Sequence, residues 1–440
     1  MNKTLLSTLI LLCIAGPTQA EDLLDIYQQA TLNDPQVRQA KAVRDSAFEK
    51  INESRAPLLP QVNLGADANY VKNSAISDVN TVGANLNLGQ ALYRKSAWAN
   101  LNITEKQATQ ADVIYKQVQQ DLILRTTQAY FSVLNAEDTL SFVQANKEAV
   151  ARQLEQTKLQ FEVGLNAMTD VYEAQAQYDQ ARAEEISAQN DVNNAKETLR
   201  ELTNRGYANL DKLNTELFSP QQSVISADAW LEIALEQNLL LHQQRIAKDI
   251  ANEQIGLAEA GHAPTLDLNA AVGSQYNDYA DSSALSQGGG GGGSGTNNQA
   301  VVGLSFNLPI YSGGATTSQV KQAQFNYVAA SEELERSFRT VKSQVYSSFN
   351  DVSSSASSVS ALEQSVLSAQ SALDATEAGY EVGTRTIVDV LNAISLLYNA
   401  KQNLAAARYN YVLKQLELKQ AAGNLTEQDL VELNNGLIKQ

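Results

Sequence analysis

The chain states one long pattern twice. Phe161-Glu162-Val163-Gly164 is followed by Thr169-Asp170-Val171 and Ala174; Tyr380-Glu381-Val382-Gly383 is followed by Val388-Asp389-Val390 and Ala393, at a constant offset of 219. Upstream, Leu24-Asp25-Ile26 and Ala40-Lys41 return as Leu231-Glu232-Ile233 and Ala247-Lys248, at an offset of 207, so the second copy gains 12 residues between the two landmarks. Repeats of about 20–50 residues build solenoids. A unit of half the chain predicts instead a duplicated half-subunit and a pseudo-symmetric wall.

Residues 1–20 read as a secretory leader: Lys3 gives the positive start, Leu5 to Ile14 the apolar stretch, and Thr18-Gln19-Ala20 the small-residue cleavage site. That apolar stretch is too short to span a bilayer. Cys13, the only cysteine, lies inside it, so the mature chain is expected to have no disulfide and no thiol chemistry. A bulky Leu12 before it argues against lipid attachment there. The formal charge of −17 disfavours nucleic acid as a partner, since nothing basic would neutralise phosphates. In a concave lining the same charge attracts cations. No later run of about 18 apolar residues exists, so any membrane role must come through β-strands.

Four segments alternate apolar and polar residues with period two. Val62, Leu64, Ala66, Ala68 and Tyr70 oppose Asn63, Gly65, Asp67 and Asn69; Val82, Ala84, Leu86 and Leu88 oppose Thr81, Gly83, Asn85 and Asn87. Leu266, Leu268, Ala270 and Val272 oppose Asp267, Asn269 and Gly273; Val302, Leu304, Phe306 and Leu308 oppose Gly303, Ser305 and Asn307. These are strands with one apolar and one polar face, one hairpin per repeat, each about as long as a tilted strand crossing a bilayer. The second hairpin loop carries Gly288 to Gly293, Ser294 and Gly295, a low-complexity connection that accounts for the added residues.

The remainder reads helical. Residues 94–160 and 315–379 are Ala/Gln/Glu-rich and free of proline; at 1.5 Å per residue each is roughly 100 Å long. Shorter helical stretches flank them, at 22–54 and 168–203 in the first half and 228–260 and 386–421 in the second. Laid end to end, two short ones match one long one. Val390, Leu397, Leu404, Tyr411 and Leu418 recur every seven residues, as do Ala174, Ala181, Ala188, Ala195 and Leu202, with Ala393, Ala400, Ala407, Lys414 and Ala421 as counterparts. A seven-residue period specifies left-handed coiled-coil packing. A large seam and a small seam on one helix suit neighbours on both sides, as in a helical cylinder; the heptads alone fit an ordinary long coiled coil equally.

Four amphipathic strands cannot close a barrel, because the smallest membrane barrels use eight. An open sheet edge is not tolerated in lipid. Oligomerisation is therefore required, giving eight, twelve or sixteen strands for two, three or four chains.

With these features the chain resembles the TolC family of outer-membrane channel-tunnels, over essentially its whole mature length. The carriers are the paired Glu-Val-Gly turns, the strand motifs at Leu58-Leu59-Pro60-Gln61-Val62 and Asn307-Leu308-Pro309-Ile310-Tyr311, and the run from Tyr380 to Leu391. The resemblance implies a mostly α protein with membrane β: a homotrimer whose long coiled-coil helices form an α-barrel in the periplasm, with four strands per chain in a shared 12-stranded barrel in the outer membrane of a Gram-negative bacterium. The first repeat would be 21–203, with a β-hairpin at 61–92 and a helical hairpin at 94–203. The second would be 228–421, with a β-hairpin at 265–311 and a helical hairpin at 315–421. Residues 204–227 and 422–440 would form a small domain about the tunnel's waist, and the long tail some members carry is not expected. The implied function is an exit duct for tripartite multidrug efflux or type I secretion. Its partners would be a periplasmic adaptor (membrane fusion) protein, an inner-membrane transporter of the RND, ABC or MFS type, and outer-membrane lipid.

No catalytic constellation is legible and no cofactor is implied. His242 and His262, the only histidines, stand alone, and the glycine run is followed by no Gly-Lys-Ser/Thr. Gly164 and Gly383 each follow a long helix, as a C-cap glycine would. Asp170 and Asp389 then fall in the first turns of the return helices, where carboxylates are favoured by the helix dipole. The resemblance adds roles. Thr169, Asp170, Tyr380 and Arg385 would latch the tip, and Asp389 would ring the pore constriction. Val163-Gly164-Leu165 and Val382-Gly383-Thr384 would dock the adaptor. The family's second pore acid is replaced here by Asn392, whose repeat counterpart is Glu173, so a second acidic ring is an open question. A periplasm-spanning coiled-coil anchor would share the helices without needing an acidic tip; a plain diffusion porin would not need the helices.

Overall fold

A computed structural model describes residues 21–72, 78–215, 218–220, 225–279 and 294–438. The expected leader at 1–20 and the glycine run 288–293 lie outside the described residues, as do parts of the two segments expected at the waist. In chain order the elements are α1 (Leu23–Asn33), α2 (Pro35–Arg55), β1 (Gln61–Val71), β2 (Val79–Arg94), α3 (Lys95–Glu162), α4 (Met168–Thr203) and β3 (Lys212–Leu213). There follow α5 (Ala227–Gln237), α6 (Leu239–Glu259), β4 (Thr265–Tyr279), β5 (Gly295–Asn307), α7 (Ala315–Glu381), α8 (Ile387–Ala422), α9 (Glu427–Asn434) and β6 (Leu437–Ile438). The chain divides into two compact units, one of residues 39–117 and 239–340, the other of residues up to 38, 118–238 and from 341 on.

The first of these units holds an antiparallel sheet in the order β1-β2-β4-β5. The register carries one face across all four strands. Val62 pairs Leu88, which pairs Ala270, which pairs Val302; the next layer on that face is Leu64, Leu86, Val272 and Ala300. Between them runs Asn63, Asn87, Ala271 and Val301, and beyond lies Gly65, Asn85, Gly273 and Gln299 on the polar side. Side chains alternate faces with period two, so a register slip of one residue would turn every apolar side chain to the polar side. The ladder between β2 and β4 joins the two repeats, and Arg94 adds an ion pair to Asp267 at 2.7 Å across it. Among the described residues, β1 and β5 are each paired along one edge only. β5 stops at Asn307, short of the expected 311, because Pro309 has no N–H to give a ladder. In the helical part of this unit, Arg44 Nε donates to Asp112 Oδ1 at 2.6 Å, tying α2 to α3.

The other unit is helical around one small mixed motif. Leu23, Ile26, Tyr130, Phe131, Leu199 and Leu430 are buried there, drawn from α1, α3, α4 and α9. Tyr130 Oη donates to the Asp211 carbonyl at 2.6 Å, Asn434 bonds both Leu23 N and the Asp22 carboxylate, and β3 pairs β6. The coiled-coil seams are partly realised in the single chain. Ala174, Ala181, Ala188 and Ala195 are buried, as are Val390, Leu397, Tyr411 and Leu418. Leu404, Ala407, Lys414 and Ala421 are only half-buried.

Two expectations are corrected. The stretches 22–54 and 228–260 are not continuous helices; each breaks, at Asp34 and at Asn238. Both residues adopt nearly the same extended geometry, φ −60, ψ 122 and φ −63, ψ 121. Asp34 precedes Pro35, which disfavours helix at the preceding residue. Its carboxylate caps Val37 N at 2.9 Å and takes an ion pair from Arg125 at 2.8 Å. Asn238 has no proline after it and is held by tertiary contact, its Nδ2 donating to the Ala421 carbonyl at 2.9 Å.

The upstream repeat offset is also 204, not 207. Leu23 and Ala227, Pro35 and Leu239, and Gln61 and Thr265 open equivalent elements, and the buried residues Ile26 and Trp230, Ala30 and Ala234, Val37 and Leu241 follow suit. A three-residue slip is close to one helical turn, so a helical pattern survives it and the local sequence match misleads. The offset of 219 holds at the ends of α3 and α7, Glu162 and Glu381; the second repeat therefore gains 15 residues, the difference between 219 and 204.

Gly423 ends α8 with φ +81, and its N–H bonds the Gln420 carbonyl at 2.9 Å. A Cβ there would fall 2.5 Å from the Gln237 carbonyl and 2.6 Å from Asn238 Cα, both backbone atoms that cannot swing away. Gly423→Ala is therefore expected to destabilise by more than the roughly 1–2 kcal/mol of a left-handed residue alone. Gly206→Ala, with open space around it, should leave the melting temperature unchanged. Thermal denaturation of the detergent-solubilised proteins checks both; equal melting temperatures for the two variants would refute the close approach.

Candidate functional site

The two helix-to-helix turns are built alike. At the first, Gly164 has φ +79, its N–H bonds the Phe161 carbonyl at 2.9 Å, and Leu165 N bonds the Gln160 carbonyl at 2.8 Å. At the second, Gly383 has φ +78, bonds Tyr380 O at 2.9 Å, and Thr384 N bonds Gly379 O at 2.8 Å. This is the paired closure that satisfies the last carbonyls of a helix, and it needs a left-handed residue that only glycine adopts without cost. Val163, Leu165 and Val382 stand 71, 75 and 75 % exposed, so both turns present apolar side chains to solvent. Gly164, Gly383 and Thr384 are exposed as well.

The return helices start differently. Asp389 Oδ2 accepts from Thr386 N and Thr386 Oγ1, both at 2.9 Å, while Thr386 Oγ1 accepts from Asp389 N at 3.3 Å. That is a complete reciprocal cap. In the first repeat Ala167 replaces the threonine, and among the described residues Asp170 Oδ2 receives only Ala167 N, at 3.4 Å. The Thr386 hydrogen bonds, aided by the charge of Arg385, hold the Asp389 carboxyl below the usual carboxylate range. Beneath the turns lies a core from α3, α4, α7 and α8, including Val150, Leu154, Ala174, Leu373, Val390 and Ile394.

Among the described residues, no hydrogen bond or ion pair links Thr169, Asp170, Tyr380 and Arg385. The Tyr380 hydroxyl instead donates to Gln160 Oε1 at 2.7 Å and accepts from Asn166 Nδ2 at 2.9 Å. Asn166 Nδ2 also donates to Gln160 Oε1 at 2.7 Å. Gln160 and Asn166 escaped the sequence reading, though a signal existed in the repeat. At the offset of 219, Gln160 faces Gly379, Phe161 faces Tyr380 and Asn166 faces Arg385, so three positions that differ in hydrogen-bonding chemistry cluster at one turn. Of the residues expected at the pore, Asp389 is partly exposed, and Asn392 and Glu173 are exposed. His242 lies in α6 and His262 just before β4, apart from the tip sequence. Among the described residues, no group of three or more His, Cys, Asp or Glu could hold a metal ion, and no helix is long and apolar enough to cross a membrane.

The sequence profile of a family described as outer membrane efflux protein matches residues 26–205 and 230–424, one match per repeat. The chain is 50 % identical to outer membrane protein TolC of Escherichia coli (strain K12), over 99 % of this chain and 90 % of that protein. It is 29 % identical to the proteases secretion protein PrtF of Dickeya chrysanthemi, over 98 % of this chain and 94 % of that protein. The solved structure of CusC, described as forming a transmembrane channel, superimposes with a TM-score of 0.79 at 18 % identity, over 92 % of each chain.

The Asp389 cap fixes a pH dependence. Its folded-state pKa lies below the ordinary 3.8, so its contribution is complete above that value and is lost as pH falls through the lowered one. Amide protection at residues 387–391, measured by hydrogen exchange, should hold from pH 6 to 4 and drop below that. Asp389→Ala should show the low protection at every pH. Equal protection in the wild type at pH 6 and 2.5 would contradict the cap.

Proposed function

The chain belongs to the outer membrane efflux protein family, and we propose from that premise how it works. It is an outer-membrane exit duct of a Gram-negative bacterium, serving efflux and type I secretion, as its near-full-length likeness to outer membrane protein TolC and to a protease secretion protein supports. The family is one of channels rather than enzymes. The observation that carries the mechanism is the four-stranded sheet, apolar on one face and polar on the other, with an edge of β1 and of β5 left unpaired among the described residues. In lipid those edges must be covered by further strands. We infer a homotrimer, whose twelve strands close one barrel with apolar faces toward lipid.

The helical hairpins then extend into the periplasm, and the exposed turns at Val163-Gly164-Leu165 and Val382-Gly383-Thr384 receive the helices of an adaptor protein coupled to an RND, ABC or MFS transporter. Arg385 has no carboxylate within ion-pair distance in its own chain among the described residues. In the trimer it engages Asp170 and Thr169 of a neighbouring hairpin and holds the tip closed. Exposed ion pairs are individually weak, so a threefold set holds the gate yet yields to docking. Asp389, ionised through the working pH range by its cap, gives the constriction its affinity for cations; Glu173 and Asn392 lie one turn further along their helices.

Single-channel recording in planar bilayers tests this reading. The wild type should conduct ions, Arg385→Ala should raise the conductance, and Asp389→Ala should weaken block by trivalent cations. A protein that inserts but never conducts would favour the periplasm-spanning anchor. Unchanged conductance in Arg385→Ala would remove the latch, and undiminished block in Asp389→Ala would remove the cation throat.

A further inference from the structure

We propose that Gln160 and Asn166 are gate-positioning residues: with Tyr380 they form an uncharged clasp that ties the two helical hairpins of one chain together at the tip. The inference rests on the duct reading for its meaning as a gate, but the clasp itself stands on geometry alone. Gln160 lies in the last turn of α3, Asn166 in the turn between α3 and α4, and Tyr380 in the last turn of α7. Their polar atoms close a ring. The Tyr380 hydroxyl gives its proton to Gln160 Oε1, and the two Asn166 amide protons go to the Tyr380 hydroxyl and to Gln160 Oε1. The hydroxyl proton and both Asn166 amide protons each have an acceptor, and all three contacts fall within 2.7–2.9 Å. The Tyr380 ring packs on the core shared by α3, α4, α7 and α8, so its hydroxyl is aimed by apolar burial rather than left to rotate.

The ring can form only once per chain. At the offset of 219 the equivalents of Gln160, Tyr380 and Asn166 are Gly379, Phe161 and Arg385, which supply no acceptor, no hydroxyl and a charged donor. The duplication has diverged so that one hairpin provides the amides and the other the phenol. The ring contains no carboxylate, ammonium or guanidinium. Its strength therefore does not fall with ionic strength, whereas a contact built on Arg385 is screened. Two restraints of different chemistry thus converge on this tip: a neutral one inside each chain and a charged one that Arg385 makes beyond it. Asn166 is the discriminating residue, because its amide alone provides two donors to two acceptors. Leucine matches its size and provides none. Aspartate matches its shape but, when ionised, offers acceptors only.

Hydrogen exchange on the full-length protein tests the clasp. Asn166→Leu should speed exchange in peptides covering 378–386, which belong to the other hairpin, by roughly five- to tenfold for the hydrogen bonds lost. Tyr380→Phe should do the same in 158–168, and the double variant should exceed neither single one by more than about twofold, since either change already opens the ring. Asn166→Asp should behave like leucine at pH 7 and move back toward wild type at pH 4, as the carboxyl regains a proton to donate. In planar bilayers Asn166→Leu should raise conductance equally at 0.1 M and 1 M salt, while any increase from Arg385→Ala should shrink at the higher salt. Unchanged exchange at 378–386 in Asn166→Leu, or an Asn166→Asp effect independent of pH, would overturn the clasp and leave the duct standing. A wild type that never conducts would end the duct reading and leave the exchange result to decide the clasp.

Discussion

An antiparallel sheet with two unsatisfied edges is the constraint from which the other features follow. Each strand pair exchanges backbone hydrogen bonds, and β2 and β4 are satisfied on both sides. β1 and β5 are not. In water such edges can be solvated; in hydrocarbon each orphaned N–H or carbonyl is costly, so the sheet demands partners of its own kind. The face alternation, carried through the register without interruption from Val62 to Val302, says where lipid can lie. The bulge between Ala91 and Tyr93 comes where β2 gives way to α3.

Duplication supplies the second organising idea. Two copies of a strand–helix pattern make the chain pseudo-symmetric, yet equivalent positions carry different side chains and make different bonds. The turns show how this is reached with few changes. Their glycines share one φ, +79 at Gly164 and +78 at Gly383. Their side chains diverge, with Ala167 against Thr386 at the cap and Phe161, Gln160 and Asn166 against Tyr380, Gly379 and Arg385 at the turn. The conserved frame sets positions; the divergent residues decide what bonds to what.

Much of the fold was legible for simple reasons. Strands facing two different solvents must alternate, and Leu64 against Gly65 or Leu86 against Asn87 makes that visible. Helices of the length of α3 and α7 cannot contain proline, and they end at the glycines that close the turns. Asp34 was legible too, since a residue before proline leaves the helix, but the helical pattern on either side of it obscured the break. Asn238 was not, because nothing in its neighbours breaks a helix; its conformation is set by the Ala421 carbonyl and the close passage of Gly423, far away in sequence. The repeat offset failed for a related reason: short matches on a helix tolerate a slip of nearly one turn, whereas strand starts at Gln61 and Thr265 do not. At the site, the glycines and capping aspartates follow local rules, whereas the Tyr380 ring joins residues over 200 positions apart and is visible only once the hairpins are packed.

The central claim is that the β1 edge of one copy pairs with the β5 edge of the next and that the series closes after three. With Cys13 in the expected leader and no other cysteine in the chain, one engineered cysteine at Ala66 on β1 and one on β5, stepped from Asn298 to Leu304, can be oxidised in the membrane and resolved by mass. Cross-linked species of two and three chains and nothing larger, at one preferred register, is the result expected. Only uncross-linked chains at every position, or a ladder continuing past three, would contradict it.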